Sequence, residues 1–345
     1  MGNIIFPLLD RSFLLKLVKK LLRFSYLRFV LYLAFMKKSL WFTALFVFAG
    51  LFVYGQKQKR ATHPVENNTL LWRISGNGLS KPSYLFGTMH LLCADDIALS
   101  DSLKKAIKNA DDVYLELDMD NLFEMFGAMQ HMNMKGDTTL ADLLTKEEYQ
   151  KVKKYFEENS TMLPFSMLES FKPLLTASLL SEQQTSGCDH MISMEQLIMQ
   201  EAKDNEIKIK GLETMNYQLS IFDKIPYKLQ AKQLYKMIAQ ASNSSDSKEI
   251  AELTNAYRNQ QLEKLEEMTK KEDMGIKDFT NLLLYDRNNN WTKKLQTLMA
   301  DKSLVIAVGA GHLPGERGVI NLLRKAGYKV EPVKNEMMTK KVKEI

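Results

Sequence analysis

The chain has 345 residues, of which 45% are apolar and 26% charged. This is the make-up of a globular protein and excludes a disordered, collagenous or disulfide-scaffold chain. Its 47 Lys and Arg against 41 Asp and Glu give a formal charge of +6. The charge is unevenly placed: residues 1–60 hold eleven basic side chains and the single acid Asp10, so they carry +10 and the remaining 36 basic and 40 acidic residues leave the body at −4. Nucleic-acid binding needs a basic patch on the folded body, so nucleic acid is set aside as a partner.

Within the leader, Met36-Lys37-Lys38 precedes an uncharged run whose apolar part, Leu40 to Tyr54, is 15 residues long and ends at Gly55. A charged start, a short apolar stretch and a small residue at its end describe a secretory signal. A membrane anchor, the alternative, wants roughly 20 apolar residues. Either way the basic side stays cytoplasmic. Residues from Gln56 onward are expected to be extracytoplasmic, periplasmic or secreted, with membrane contact only through the N-terminal segment. Residues 1–35 are accounted for by translation starting at Met36, or by a basic amphipathic helix on a membrane surface. The organisation expected is a leader at 1–55, a polar connector at 56–69, one domain at 70–333 and a tail at 334–345. Cys93 and Cys188 form no CxxC motif; two cysteines in an exported protein can pair, and they are otherwise taken as small core residues.

In chain order, Leu70–Ile74 reads as a strand, Ser75–Gly78 as a turn and Tyr84–Phe86 as its hairpin partner. Ser100 is a plausible cap for a helix with Leu103, Ala106, Ile107 and Ala110 on one face. Asp112–Asp118 returns as a strand, and strand–helix–strand with short connections indicates a parallel α/β unit. From Asn121 to about Gln200 and from Gln218 to Leu298 the spacing is helical, as in Leu122, Phe126, Met129 and in Leu174, Ala177, Leu180. Ile207–Leu212 between them alternates as a strand. Leu304–Val308 is a strand, Gly309–His312 a loop, Val319–Lys325 a helix and Tyr328–Val333 a final strand. The expected fold is α/β, a mixed, mostly parallel sheet built from both ends of the chain around a large helical insertion. Of the twenty methionines, Met119, Met125, Met129, Met132 and Met134 crowd one stretch. Adaptable core packing is the favoured explanation, an apolar surface for peptides the other.

Two of the five histidines share one setting. Tyr84–Phe86 runs into Gly87-Thr88-Met89-His90, and Val305–Val308 into Gly309-Ala310-Gly311-His312. Glycine permits a sharp turn or a close backbone approach, and open α/β sheets bind ligands at the carboxyl ends of their strands. Two imidazoles can thus converge although 222 positions separate them. Glu116, in the apolar Val113–Leu117, needs a metal or a cation to offset its burial, and Asp118 points to the same face. Two neutral His nitrogens and a carboxylate suit a catalytic divalent metal. Residue types alone leave a second reading open: His90 and His312 as hydrogen-bonded core residues, and Glu116 as the ion-pair partner of Arg287.

The ordered strings Phe86-Gly87-Thr88-Met89-His90, Glu116-Leu117-Asp118, Asp286-Arg287-Asn288-Asn289-Asn290-Trp291 and Gly309-Ala310-Gly311-His312-Leu313-Pro314-Gly315, with the weaker Gly211-Leu212-Glu213-Thr214 and Gln218, resemble the TraB/GumN family, relatives of the Tiki proteases. The resemblance runs from Leu70 to Val333. It implies a sheet-centred fold similar to erythromycin esterases and ChaN-like haem-binding lipoproteins, and a divalent-metal-dependent hydrolase acting on a peptide or protein, with Mn, Co or Zn as plausible metals. Carried over, His90 and His312 become metal ligands and Glu116 a ligand or general base. Arg287 would steady an oxyanion or a substrate carboxylate, with Asn288 orienting it. His63, His131 and His190 are left outside the site, and Asp189 is read as a helix-start cap. Two alternatives stand beside this: a regulatory protein that sequesters a peptide without cutting it, and a metal-independent hydrolase using His90 and Glu116.

Overall fold

The computed structural model describes residues 68–90, 92–94, 97–159, 163–184, 191–240, 244–271 and 279–337. The expected leader, His63, the Gly187–His190 stretch and most of the tail lie outside the described residues. The fold starts with the expected hairpin: β1 (Leu71–Ser75) pairs antiparallel with β2 (Ser83–Thr88). The turn between them carries positive φ at Gly76, Asn77 and Gly78, a backbone that glycine and asparagine adopt most readily. A two-residue strand, β3 (Leu92–Cys93), follows. Next comes α1 (Asp101–Lys108), whose cap Ser100 accepts a hydrogen bond from Leu103 N. β4 (Asp112–Leu117) runs parallel to its neighbours, and all six of its residues are buried.

The insertion begins with α2 (Leu122–Met129), α3 (Leu140–Leu143), α4 (Lys146–Glu158), α5 (Phe165–Leu168) and α6 (Pro173–Gln184). The short β5 (Met191–Ile192) leads into α7 (Met194–Asp204), and β6 (Lys208–Glu213) joins the main sheet. Helices α8 (Met215–Phe222), α9 (Tyr227–Gln240), α10 (Ser244–Arg258) and α11 (Leu262–Lys271) complete the insertion. A single π-helical turn, Asn281–Tyr285, opens α12 (Asp286–Leu298). The chain then returns through β7 (Leu304–Gly309), α13 (Val319–Lys325) and β8 (Lys329–Pro332).

The main sheet has the order β6-β4-β7-β2-β1-β8. β6, β4, β7 and β2 are mutually parallel, and β1 is antiparallel to both β2 and β8. Both ends of the chain build it, as the sequence predicts, and the strand from the middle of the chain forms one edge. β7 is buried throughout like β4, because helices cover both faces of a parallel sheet and its strands become continuous apolar runs.

Two features of the packing go beyond the sequence pattern. Leu122, Phe126 and Met129 do lie on a helix, but each is at least 40% exposed and Phe123 beside them is 91% exposed. The helical period is real and its apolar face is unburied; period reports geometry, and burial depends on what packs opposite. The methionine cluster divides accordingly, with Met119, Met132 and Met134 in the core and Met129 on the surface. Cys93 is not a free core thiol but disulfide-bonded, at the point where β3 pairs with β5 through Leu92↔Ile192 and Cys93↔Met191.

Candidate metal and catalytic site

Four adjacent parallel strands deliver four polar side chains to one edge of the sheet. Glu213 ends β6, Glu116 is the penultimate residue of β4, His312 lies in a 3-10 turn directly after β7, and His90 follows β2 by two residues. The register aligns these ends: Leu117 lies opposite Glu213, and Thr88 opposite Gly309. Ligand sites in such sheets form outside the carboxyl ends of the strands, and all four residues lie there. Gly87 matters for proximity. A Cβ at this position would sit 3.1 Å from Ala310 Cα and from Leu313 Cδ2, so a side chain here would press the second Gly-x-x-His turn away by a few tenths of an ångström.

Glu116 is buried and both its oxygens are engaged. Oε1 accepts from Gly309 N at 2.8 Å and Oε2 meets Arg287 Nη2 at 2.5 Å. Arg287, itself 2% exposed, also spans Glu213, with Nε 2.9 Å and Nη2 2.8 Å from Glu213 Oε2. Burial alone would raise the Glu116 pKa. The Arg287 charge, with His312, the Gly309 N–H and His90 assisting, brings it down to about 2. Burial works against the Arg287 charge too, yet Glu116 and Glu213 hold its pKa above the ordinary value. Arg287 is therefore an internal ion-pair partner of two carboxylates, not an open oxyanion donor. Its Nη1 also donates to Leu283 O at 3.3 Å, within the π turn. Such turns shift the phase of a helix and recur at functional sites; here one sets the face that carries Arg287, Asn288 and Trp291.

His312 is held by Asn288. Oδ1 of Asn288 lies 2.6 Å from His312 Nδ1. The Asn288 amide group donates to Arg317 O at 2.9 Å, which fixes its carbonyl toward the imidazole. Asn288 thus orients His312, rather than Arg287 as the sequence suggested. The ring packs tilted, at 42°, against Trp291 with centroids 4.5 Å apart, and Arg287 also lies over that indole. Burial pushes the His312 pKa down to about 3; Glu116 opposes the shift, while Arg287 and His90 add to it. At neutral pH the ring is uncharged and its proton is on Nδ1; Nε2 lies 3.5 Å from Arg287 Nη1, as the acceptor toward that donor, and 3.8 Å from Glu116 Oε1.

His90 is held by a residue that sequence reasoning missed. Its Nδ1 is 2.9 Å from Glu195 Oε2, off the line of an aligned hydrogen bond, and its Nε2 is buried with no hydrogen-bond partner. Tyr257, from α10, donates to Gly87 O at 2.9 Å and braces the turn that carries His90. His131 is exposed just after α2 and follows none of these strand ends directly. Asp118 lines a cleft of about 400 Å³ with Glu124, Glu213, Thr214, Tyr217 and Trp291, so the cleft adjoins the network at Glu213 and Trp291.

The family model described as TraB/PrgY/gumN matches residues 70–332. The chain belongs to the TraB/PrgY/gumN family. This family member is similar to proteins named as TIKI metalloproteases. A Metalloprotease TIKI homolog of Nematostella vectensis is 22% identical over 81% of this chain and 70% of its own length. Metalloprotease TIKI2 of Xenopus tropicalis is 24% identical over 76% of this chain and 60% of its own. Metalloprotease TIKI1 of Homo sapiens is 23% identical over 77% and 62%. The chain therefore spans between three fifths and seven tenths of these relatives. No solved structure matches significantly.

The relatives are named metalloproteases, and one donor atom here suits a metal. A His ligand needs a bare nitrogen with its other nitrogen held, and His90 Nε2 is an orphaned buried atom of this kind. Among the described residues, no group of three or more His, Cys, Asp or Glu is gathered closely enough to enclose an ion. The Arg287–Glu116 pair occupies the carboxylate that would complete a set.

Proposed function

We propose that this family member is an extracytoplasmic metal-dependent peptidase whose site is His90, Glu116 and His312, supported by Arg287 and Asn288. The observation that carries this reading is the orphaned, buried Nε2 of His90, beside the neutral ring of His312 and the ionised Glu116. Burying a polar nitrogen without a partner is costly, and a bound cation would offset that cost. When bound, a divalent ion polarises a carbonyl and lowers the pKa of water toward neutrality. Glu116, with a pKa of about 2, is a weak base and a good anionic ligand, which favours the ligand role over general base. The adjoining cleft would receive the peptide. An exported location is supported by the disulfide at Cys93, since such bonds persist outside the reducing cytosol.

The Glu116–Arg287–Glu213 network favours a second reading, peptide binding without cleavage, because a carboxylate neutralised by arginine needs no metal. Metal analysis of the purified full chain and cleavage of a peptide library with and without chelator separate the two. Metal in stoichiometric amount and chelator-sensitive cleavage support the peptidase. Tight peptide binding with neither leaves the binder.

A further inference from the structure

We infer that Glu195, in the helical insertion, is a positioning residue that holds the proton of His90 on Nδ1 and leaves Nε2 bare as the donor atom. The start of α7 needs no help from Glu195. Ser193 caps it by accepting from Gln196 N, and Gln196 reaches back to Ser193 N. What the location of Glu195 does secure is a fixed distance to His90. Met194 N donates to Met89 O at 3.1 Å, and the β3–β5 ladder clamps the far side through Leu92↔Ile192. The residue just before His90 is thereby tied to the residue just before Glu195, and the two side chains meet with Oε2 at 2.9 Å from Nδ1. The contact is off the line of an aligned hydrogen bond, yet a carboxylate charge at that distance favours an N–H over a lone pair at Nδ1, so the single proton of the metal-binding form of the ring belongs there. Nε2, buried and without a hydrogen-bond partner, is then left as an acceptor.

Asn288 does the same for His312 through Oδ1 at 2.6 Å. Each imidazole thus has an acceptor at Nδ1, a carboxylate from the insertion for His90 and an amide from α12 for His312; they differ at Nε2, which is orphaned in His90 and meets Arg287 Nη1 at 3.5 Å in His312. Partners of this kind fix the tautomer and orientation of a metal-binding ring, and a carboxylate also raises its basicity. The inference rests on the metallohydrolase reading in taking Nε2 as a metal donor, while the tautomer itself is independent of any metal.

The test uses the full chain, labelled with ¹⁵N-histidine and stripped of metal, as parent and as Glu195→Gln and Glu195→Ala. The parent should show His90 as Nδ1–H. Glu195→Gln should keep that tautomer through its amide oxygen and bind Zn²⁺ about tenfold more weakly, and Glu195→Ala should turn to Nε2–H and lose about a hundredfold. A parent with Nε2–H, or an alanine variant with the parent's tautomer, overturns the inference. If Glu195→Ala does not fold, the parent spectrum and Glu195→Gln decide: an Nδ1–H parent with weakened Zn²⁺ binding in the variant supports it, and unchanged binding overturns it. If the parent binds no Zn²⁺, the metal reading fails and the spectra alone still decide the role of Glu195.

Discussion

The amide oxygen of Asn288 lies 2.6 Å from Nδ1 of His312, and this single contact decides which nitrogen of a fully buried ring can bind anything. Asn288→Leu should therefore weaken metal binding by about 10- to 100-fold. It should also cost about 1–3 kcal/mol of stability, since the imidazole N–H loses its buried acceptor. Zn²⁺ titration and urea unfolding of the variant measure the two effects; unchanged metal affinity would remove His312 from the ligand set.

Arg287 is the lone guanidinium between Glu116 and Glu213 in the described network. Arg287→Met leaves two buried carboxylates without their cation and is expected to destabilise the domain by about 3–5 kcal/mol. Adding Glu116→Gln and Glu213→Gln to the same chain should recover much of that loss, because the stranded charges go with the substitutions. Urea midpoints of the single and triple variants test this, and a triple variant no better than Arg287→Met would mean that the cost is packing rather than charge.

Glu116→Gln puts an amide between two donors, Gly309 N–H on one oxygen and Arg287 on the other. Whichever way it turns, one of its own N–H groups faces a donor, so a stability loss of about 1–3 kcal/mol is expected with the fold retained. Peptide cleavage should fall by about a hundredfold or more whether the residue is a ligand or a base. Retained Zn²⁺ binding would assign it as the base, and released metal as a ligand.

Two titratable groups at the centre, His312 and Glu116, have folded pKa values below their ordinary ones. His312 falls from 6.5 to about 3 and Glu116 from 4.5 to about 2. A depressed folded pKa means that the unfolded chain binds more protons in the interval, so stability falls as the solution is acidified through it. The metal-free protein should lose stability from about pH 6.5 down to about 3 on account of His312, and from about 4.5 to 2 on account of Glu116. Urea midpoints at pH 7, 5 and 3.5 should decrease in that order, and a midpoint that rises toward acid contradicts the assignment.

The exposed face of α2 gives a control of opposite sign. Phe123→Ser should change stability by no more than about 0.5 kcal/mol, as its side chain lies almost wholly in solvent. A loss of 2 kcal/mol or more on urea unfolding would place it in a packed interface.

The sheet, the two Gly-x-x-His turns and Glu116 were legible because each has a local signature: an apolar run, a glycine at its end, a charge where none should be. The partners of those residues have none. Glu195 looks like any acid in the first turn of a capped helix, and only the Met194–Met89 bond and the β3–β5 ladder reveal that it faces His90. Glu213 was visible as a motif residue without a task, since its partner Arg287 lies 74 positions away. Asn288 was assigned to its sequence neighbour Arg287 instead of to His312, because the π turn that sets the phase of α12 has no residue code. The unburied face of α2 escaped for the converse reason: helical spacing is written in the sequence, and the absence of a facing layer is not.

The place of β7 between β4 and β2 bears on biosynthesis. β2 and β4 emerge from the ribosome some two hundred residues before the strand that must separate them. Until residues 304–309 arrive, both present open strand edges of the kind that pair with the wrong chain, and the sheet they belong to cannot close. Long-range pairing of this kind folds slowly and exposes such edges meanwhile. A nascent or truncated product therefore holds His90 and Glu116 without His312, and the finished centre appears only when the whole domain has been delivered.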